Sequence, residues 1–138
     1  MIILMVGGHY TYAEVPLFDW IKEVLDQSRN NYDKVGHFAQ GFTPAILARE
    51  LLIRKNIVQG AKSWLNYIIL SIVLAFSAFY ELIEWWVALA TGEDAEAFLG
   101  TQGHMWDTQS DMMYALIGGV FALLILSRLH NKQLKRFF

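Results

Sequence analysis

Cysteine is absent from the 138 residues. That excludes a disulfide framework, a thiolate metal site and a cysteine nucleophile, so any metal or catalytic centre must use oxygen and imidazole groups. Also missing are an internal repeat, a low-complexity segment and a fixed metal-binding motif. Net charge is low at −2, and the basic residues form no stripe interleaved with aromatics, which sets nucleic acid aside as a partner. Residues 91–110 hold no lysine or arginine at all. Apolar residues, by contrast, are in excess: 55% of the chain is hydrophobic and 14% aromatic, more than a soluble globule of this size carries. The excess lies in long runs that point to lipid rather than to a large core.

The fold class expected is all-α: an integral membrane helical bundle, one membrane domain over residues 1–138. The run at 64–90 is apolar through Ile68, Leu70, Val73, Leu74 and Phe76 and meets no charge before Glu81. As a helix it would reach about 40 Å, enough to cross a hydrocarbon core of about 30 Å. A second span is expected at about 110–128 through Leu116, Val120, Leu123 and Leu126, closing in a cluster of bases. A third, about 34–53, carries His37, Gln40, Thr43, Arg49 and Glu50. These must face other helices, and Pro44 should kink the segment locally. Met1 to Gly8 is apolar but too short to cross, so it reads as the tail of a truncated spanning segment. It lacks the leading positive charge and A-x-A site of a signal peptide. At about 16–28, Leu17, Trp20, Ile21, Val24 and Leu25 share one face opposite Asp19, Lys22, Glu23 and Asp26, the pattern of an interfacial amphipathic helix.

Charge orients these segments. Of 11 lysines and arginines, eight (Arg49, Arg54, Lys55, Lys62, Arg128, Lys132, Lys135 and Arg136) fall at one end of the layout. By the positive-inside rule that end, with the C-terminus, is cytoplasmic. Of 13 carboxylates, all but Glu50 belong to the outer half, as do His9, His37 and His104. Acidic residues contribute little to topology, so their polarisation asks for a second cause.

Spacing supplies a candidate. Asp33 and His37 are four residues apart, as are Asp107 and Asp111, while Glu81 and Glu84 are three apart. Each pair therefore lies on one side of its helix. Three helices bring oxygen and imidazole groups to one level, as in bundle-core metal sites. A carboxylate at hydrocarbon depth costs about 2.5–3.5 kcal/mol, which favours a partner: a cation, a proton or Arg49. Asp33, His37, Glu84, Asp107 and Asp111 are the candidate ligands, with zinc, manganese, magnesium or calcium the metals that suit them. Glu81 and His104 are the candidate catalytic proton carriers. Simpler readings stand beside these. Asn30 and Asp33 suit a helix start, and Thr108-x-x-Asp111 matches a capping box. His37 reads equally as a structural imidazole, and Glu84 beside Trp85 and Trp86 as a headgroup-depth charge. Trp64, Tyr67, Trp85, Trp86 and Trp106 read as interface anchors. The small residues Gly41, Ala45, Ala48, Ala115, Gly118, Gly119 and Ala122 read as close helix packing.

Four stretches carry a family resemblance: 8–16 (Gly-His-Tyr-Thr-Tyr-Ala-Glu-Val-Pro), 32–38 (Tyr-Asp-Lys-Val-Gly-His-Phe), 80–86 (Tyr-Glu-Leu-Ile-Glu-Trp-Trp) and 100–111 (Gly-Thr-Gln-Gly, then Trp-Asp-Thr-Gln-Ser-Asp). Together they resemble the YjdF type of bacterial inner-membrane protein, over almost the whole chain. The resemblance implies a multi-pass protein of the inner membrane with further apolar segments before Met1, and it supplies no catalytic assignment. More loosely, the Asp-Lys-x-x-His-Phe element at 33–38, the glutamates of the long helix and the aspartate of the last helix look like VanZ-type proteins, associated with teicoplanin resistance, which implies an envelope role.

Three functions compete on these residues. One is a metal-dependent or acid–base enzyme acting at the outer surface on a lipid or lipid-linked envelope substrate, which would enter between the interfacial helix and residues 91–108. Another is a small proton- or cation-coupled transporter, which needs a polar path from Glu81 to Glu50. The third is a structural or accessory protein whose polar cluster locks the bundle. Oligomeric state is not legible.

Overall fold

The computed structural model describes residues 2–10, 14–26, 30–59, 61–91 and 106–134. Among them every regular element is an α-helix: α1 (Ile2–His9), α2 (Pro16–Val24), α3 (Tyr32–Arg54), α4 (Lys62–Thr91) and α5 (Asp107–Leu134). The expected all-helical architecture is observed. Two helices, Lys62–Ala90 and Asp107–Leu134, are long and apolar enough to cross a membrane. At 23 residues, α3 reaches about 35 Å, but its charges keep it out of that apolar class.

Helix ends follow from local chemistry. After α3, Asn56 takes the left-handed conformation (φ 49°). Its N–H donates to the Ile53 carbonyl and that of Ile57 to the Leu52 carbonyl, each at 3.0 Å. This is a Schellman stop with asparagine where glycine is commonest. The amphipathic helix ends earlier than expected, at Val24 rather than near residue 28, because Asp26 (φ 51°) turns the chain there. Residues 27–29 lie outside the described residues. The last helix is longer than the expected 110–128 at both ends. Its first turn reaches back to Asp107, and it runs on past Arg128 because His130 and Leu134 are buried. α3 continues through Pro44 as one helix.

The helices pack as a parallel pair crossed by an antiparallel third. α3 and α5 form the main interface, and α4 returns against both. Ala45, Ile69, Val73, Ala115 and Ala122 are almost completely buried at their junction. The α3–α5 contact is set by glycine. A Cβ on Gly41 would stand 1.7 Å from the Ala115 carbonyl oxygen, and one on Gly118 would stand 2.1 Å from that of Phe38. No side chain larger than hydrogen fits, so the two backbones touch, as the small-residue spacing predicts. At the entry to α3, fully buried Asn30 accepts from the Tyr32 N–H (3.1 Å) and donates to the Val15 carbonyl (3.1 Å) and to Asp19 (2.9 Å). The Tyr32 hydroxyl donates to the Ile3 carbonyl at 2.9 Å. α1 and α2 are thereby fastened to the start of α3.

Gly41→Ala or Gly118→Ala should each lower stability by at least the roughly 1–3 kcal/mol typical of overpacking, because the obstruction is backbone. Thermal unfolding in detergent checks this. Gly8→Ala, whose Cβ meets nothing within 4 Å, should leave the midpoint unchanged.

Candidate functional site

The parallel register of α3 and α5 sets their first turns side by side, and α4 brings Glu81 to the same level. His37 stands between two carboxylates: Nδ1 lies 3.8 Å from Glu81 Oε1, and Nε2 lies 3.7 Å from Asp111 Oδ2. These side chains are 9%, 9% and 5% exposed respectively. A second grouping, Asp33, Asp107 and Asp111, shares Asp111, and within each grouping one ligand atom per residue lies within 4.8 Å of the others. Five of the sequence-selected residues therefore converge from three helices. An edge-on contact with the Tyr80 ring at 5.9 Å flanks the imidazole.

Two further candidates lie outside these groupings. Glu84, expected as a ligand, is only half-buried and belongs to neither grouping. A spacing of three rotates a side chain about 60° around the helix from its predecessor, which takes Glu84 off the line of Glu81. His104 falls outside the described residues. The simpler readings are partly met. Asp33 Oδ1 accepts from the Lys34 backbone N–H at 2.8 Å, a local helix-start bond. Thr108, expected to open a capping box, instead lies inside α5.

The electrostatics of the cluster are unbalanced. Glu81 Oε1 and Asp111 Oδ1 are buried without a hydrogen-bond partner, and so is the hydroxyl of Ser77, one turn along α4 from Glu81. A buried polar atom left in this state costs about 1–3 kcal/mol, more if charged. The 3.7–3.8 Å separations are too long for hydrogen bonds. They exceed by a few tenths the roughly 3.4 Å between ligand atoms that surround a tetrahedral metal at about 2.1 Å. Because the two imidazole nitrogens point apart, one ion can take only one of them. Nε2 faces Asp111, which Asp33 and Asp107 adjoin; Nδ1 faces Glu81. Metal-binding histidines have their second nitrogen hydrogen-bonded by a carboxylate or carbonyl; here Glu81 faces Nδ1 but stands beyond hydrogen-bond distance.

Sequence reasoning missed a second polar centre at the far end of the same helix pair. Arg49, expected as a partner for the outer carboxylates, instead bonds His130 Nδ1 at 2.8 Å and donates to Asn131 Oδ1 at 2.6 Å. Glu50 Oε2 lies 3.8 Å from His130 Nε2, and Glu50 Oε1 pairs with Arg54 at 2.7 Å. The available signal was periodic: His37, Gly41, Ala45 and Arg49 form one stripe of α3, so Arg49 faces α5 four turns from its start. Between the two centres lie Ala45, Ile69, Val73, Ala115, Ala122 and Leu123, all buried and apolar.

These features define a helical membrane protein with a buried carboxylate–imidazole cluster at one end of a parallel helix pair. Residues 1–132 match the family described as "Predicted membrane protein (DUF2238)", and the chain belongs to that family. It is 55% identical over 136 residues to the inner membrane protein YjdF of Escherichia coli (strain K12), a match that covers 99% of this chain and 65% of that protein. The chain thus spans a little under two thirds of this relative's length. No solved structure matches. The resemblance carried by the four sequence stretches is therefore kinship, and by it the chain is an inner-membrane protein.

Replacing Arg49 by alanine strands His130 and Asn131 and should cost about 2–4 kcal/mol. Arg49→Lys should recover less than half, since an ammonium cannot reproduce the two-armed fork. Chemical or thermal unfolding of the detergent-solubilised variants measures both.

Proposed function

We propose that the chain binds one divalent cation at the His37–Asp111 cluster and acts from the extracytoplasmic side of the inner membrane as a metal-dependent enzyme on a lipid or lipid-linked substrate. The observation that carries the reading is a pair of groupings that share Asp111, His37–Glu81–Asp111 and Asp33–Asp107–Asp111, with buried oxygens of Glu81 and Asp111 that lack hydrogen-bond partners. In this reading His37 Nε2, Asp111, Asp33 and Asp107 supply ligands, and zinc or manganese suits the mixed imidazole and carboxylate set best. Such a cation, when bound, offers a Lewis acid. Glu81 faces the His37 ring on its Nδ1 side at 3.8 Å and is the proton carrier nearest the centre, with His104 the second candidate for that role. The apolar layer between the centre and the Arg49–His130 end favours a cul-de-sac over a transport path. The looser likeness to VanZ-type proteins agrees with an envelope substrate.

Orientation completes the proposal. α3, α4 and α5 all span, α2 lies in the outer interface, and the C-terminus is cytoplasmic. Supporting this, Leu17, Trp20 and Val24 of α2 are exposed, as an interfacial helix needs. On α4 the exposed pairs Trp64/Tyr67 and Trp85/Trp86 stand about 32 Å apart along the axis, which matches two aromatic belts across a hydrocarbon core of about 30 Å.

Elemental analysis of detergent-purified protein should find about one divalent metal per chain, at least tenfold less in a His37→Ala, Asp111→Ala double variant, and parental content in Glu84→Gln. Absence of bound metal from the parent protein would overturn the centre. Topology is tested separately with reporter fusions: a fluorescent protein after residue 138 should fluoresce in the cytoplasm, while alkaline phosphatase inserted near residue 96 should be active outside.

A further inference from the structure

One residue step around both helices from the acidic cluster runs a second stripe of different chemistry. On α3, Lys34 and Phe38 lie about 100° around the axis from Asp33 and His37; on α5, Ser110 and Tyr114 lie about 100° the opposite way from Asp111 and Ala115, which in a parallel pair is the same side of the interface. Between them opens a cleft of about 380 Å³ lined by Phe18, Asn31, Lys34, Val35, Phe38 and Tyr114. Its walls are mostly aromatic and aliphatic. Its polar end is the Lys34 ammonium, held over the Tyr114 ring at 5.0 Å and donating to Ser110 Oγ at 3.1 Å. Ser110 donates in turn to the Asp107 carbonyl at 2.8 Å, so the cation stands beside the turn that carries Asp107 and Asp111.

We propose that this cleft seats a phosphate-bearing membrane lipid, with Lys34 on the phosphate and the first part of the acyl or prenyl chain along Phe18, Val35, Phe38 and Tyr114. The assignment rests on the proposed metal centre and names its substrate class. Charge complementarity selects the occupant. An ammonium has three donors, Ser110 takes one, and among the described residues no carboxylate lies within ion-pair distance of Lys34 although several acids surround the neighbouring stripe. A charge-assisted bond to phosphate would use the free donors. The apolar walls require that the anion carry a hydrophobic chain, which excludes a free sugar phosphate or inorganic phosphate. The volume lies within the roughly 300–1,000 Å³ of small-ligand sites. It holds a headgroup and the nearest carbons, and the remaining chain would lie against the lipid-facing helices. Four nearby carboxylates would repel a phosphate, so a bound divalent cation should strengthen lipid binding, and by linkage the lipid should strengthen cation binding by the same factor.

The test is equilibrium binding of radiolabelled dioleoyl phosphatidic acid to the purified chain in detergent micelles, with metal content measured on the same samples. Phosphatidic acid should bind at least tenfold tighter than dioleoylglycerol, which has the same chains and no phosphate. Lys34→Ala should weaken it about tenfold while metal content stays parental, and Lys34→Arg should stay within about threefold of the parent. Val35→Trp, which fills the cleft, should block binding with an unchanged melting temperature. Equal binding by parent and Lys34→Ala, equal binding of dioleoylglycerol, or displacement of the lipid by an equal concentration of inorganic phosphate would each overturn the assignment. Metal retained without a preference for phosphatidic acid sinks the lipid assignment alone, whereas a parent without metal sinks the centre on which it rests.

Discussion

Everything at the polar end of this molecule depends on how closely α3 and α5 approach. Gly41 against the Ala115 carbonyl and Gly118 against the Phe38 carbonyl bring backbone to backbone, and this fixes both the separation and the register of the pair. With that register, Asp33 and His37 meet Asp107 and Asp111; shifted by one turn, about 5.4 Å, only one residue of each pair would still face the other helix's pair. The same contact fixes the opposite end, where Arg49 meets His130 and Asn131. A membrane interior offers little hydrophobic drive for helix association, so close packing of small residues has to supply it. The small residues are thus a condition of the site, although none of them touches it.

Much of this was legible from period alone. The Asp33/His37 and Asp107/Asp111 pairs were found because a spacing of four keeps side chains together on a helix, and the apolar runs marked α4 and α5 because bilayer thickness sets a minimum length. Glu84 shows where the argument stops. A spacing of three turns a side chain back by about 60°, so Glu81 faces His37 while Glu84 lies outside both groupings. Arg49 shows a second limit. Its face could be read, but its partner could not, since His130 lies 81 residues away and the pairing depends on a register decided by two glycines. The length of α5 escaped for a related reason: bilayer thickness suggested an end near Arg128, while the buried His130 and Leu134 carry the helix on.

The two polar centres differ in how well their groups are satisfied, and this separates their roles. At the Arg49 end the guanidinium makes two short contacts, to His130 and Asn131, and Glu50 pairs with Arg54, although Arg49 Nε is buried without a partner and Glu50 stands 3.8 Å from His130. Such a network fixes geometry. At the His37 end, carboxylate oxygens of Glu81 and Asp111 remain without hydrogen bonds and the imidazole stands at 3.7–3.8 Å from its neighbours. If packing alone were the purpose, apolar groups of similar volume would serve as well as an incompletely paired ionic cluster, often better. Retaining the costlier arrangement is expected where the missing partner arrives from outside.

Position within the membrane strengthens that argument. An ion or proton relay between the two sides would need polar groups at intervals along the bundle, and the stretch between the centres is filled instead by alanine, isoleucine, valine and leucine, several of them fully buried. Among the described residues Ser77 is a fully buried polar side chain of α4, one turn from Glu81. Among the described residues the two polar centres are therefore separated by an apolar layer. A centre of that form meets its ligand from the same side on which its product would leave, and lateral access between helices favours molecules that already reside in the bilayer. On the proposed reading, the neighbouring lysine and its aromatic surroundings would meet the lipid headgroup, and the carboxylates would hold the reacting bond.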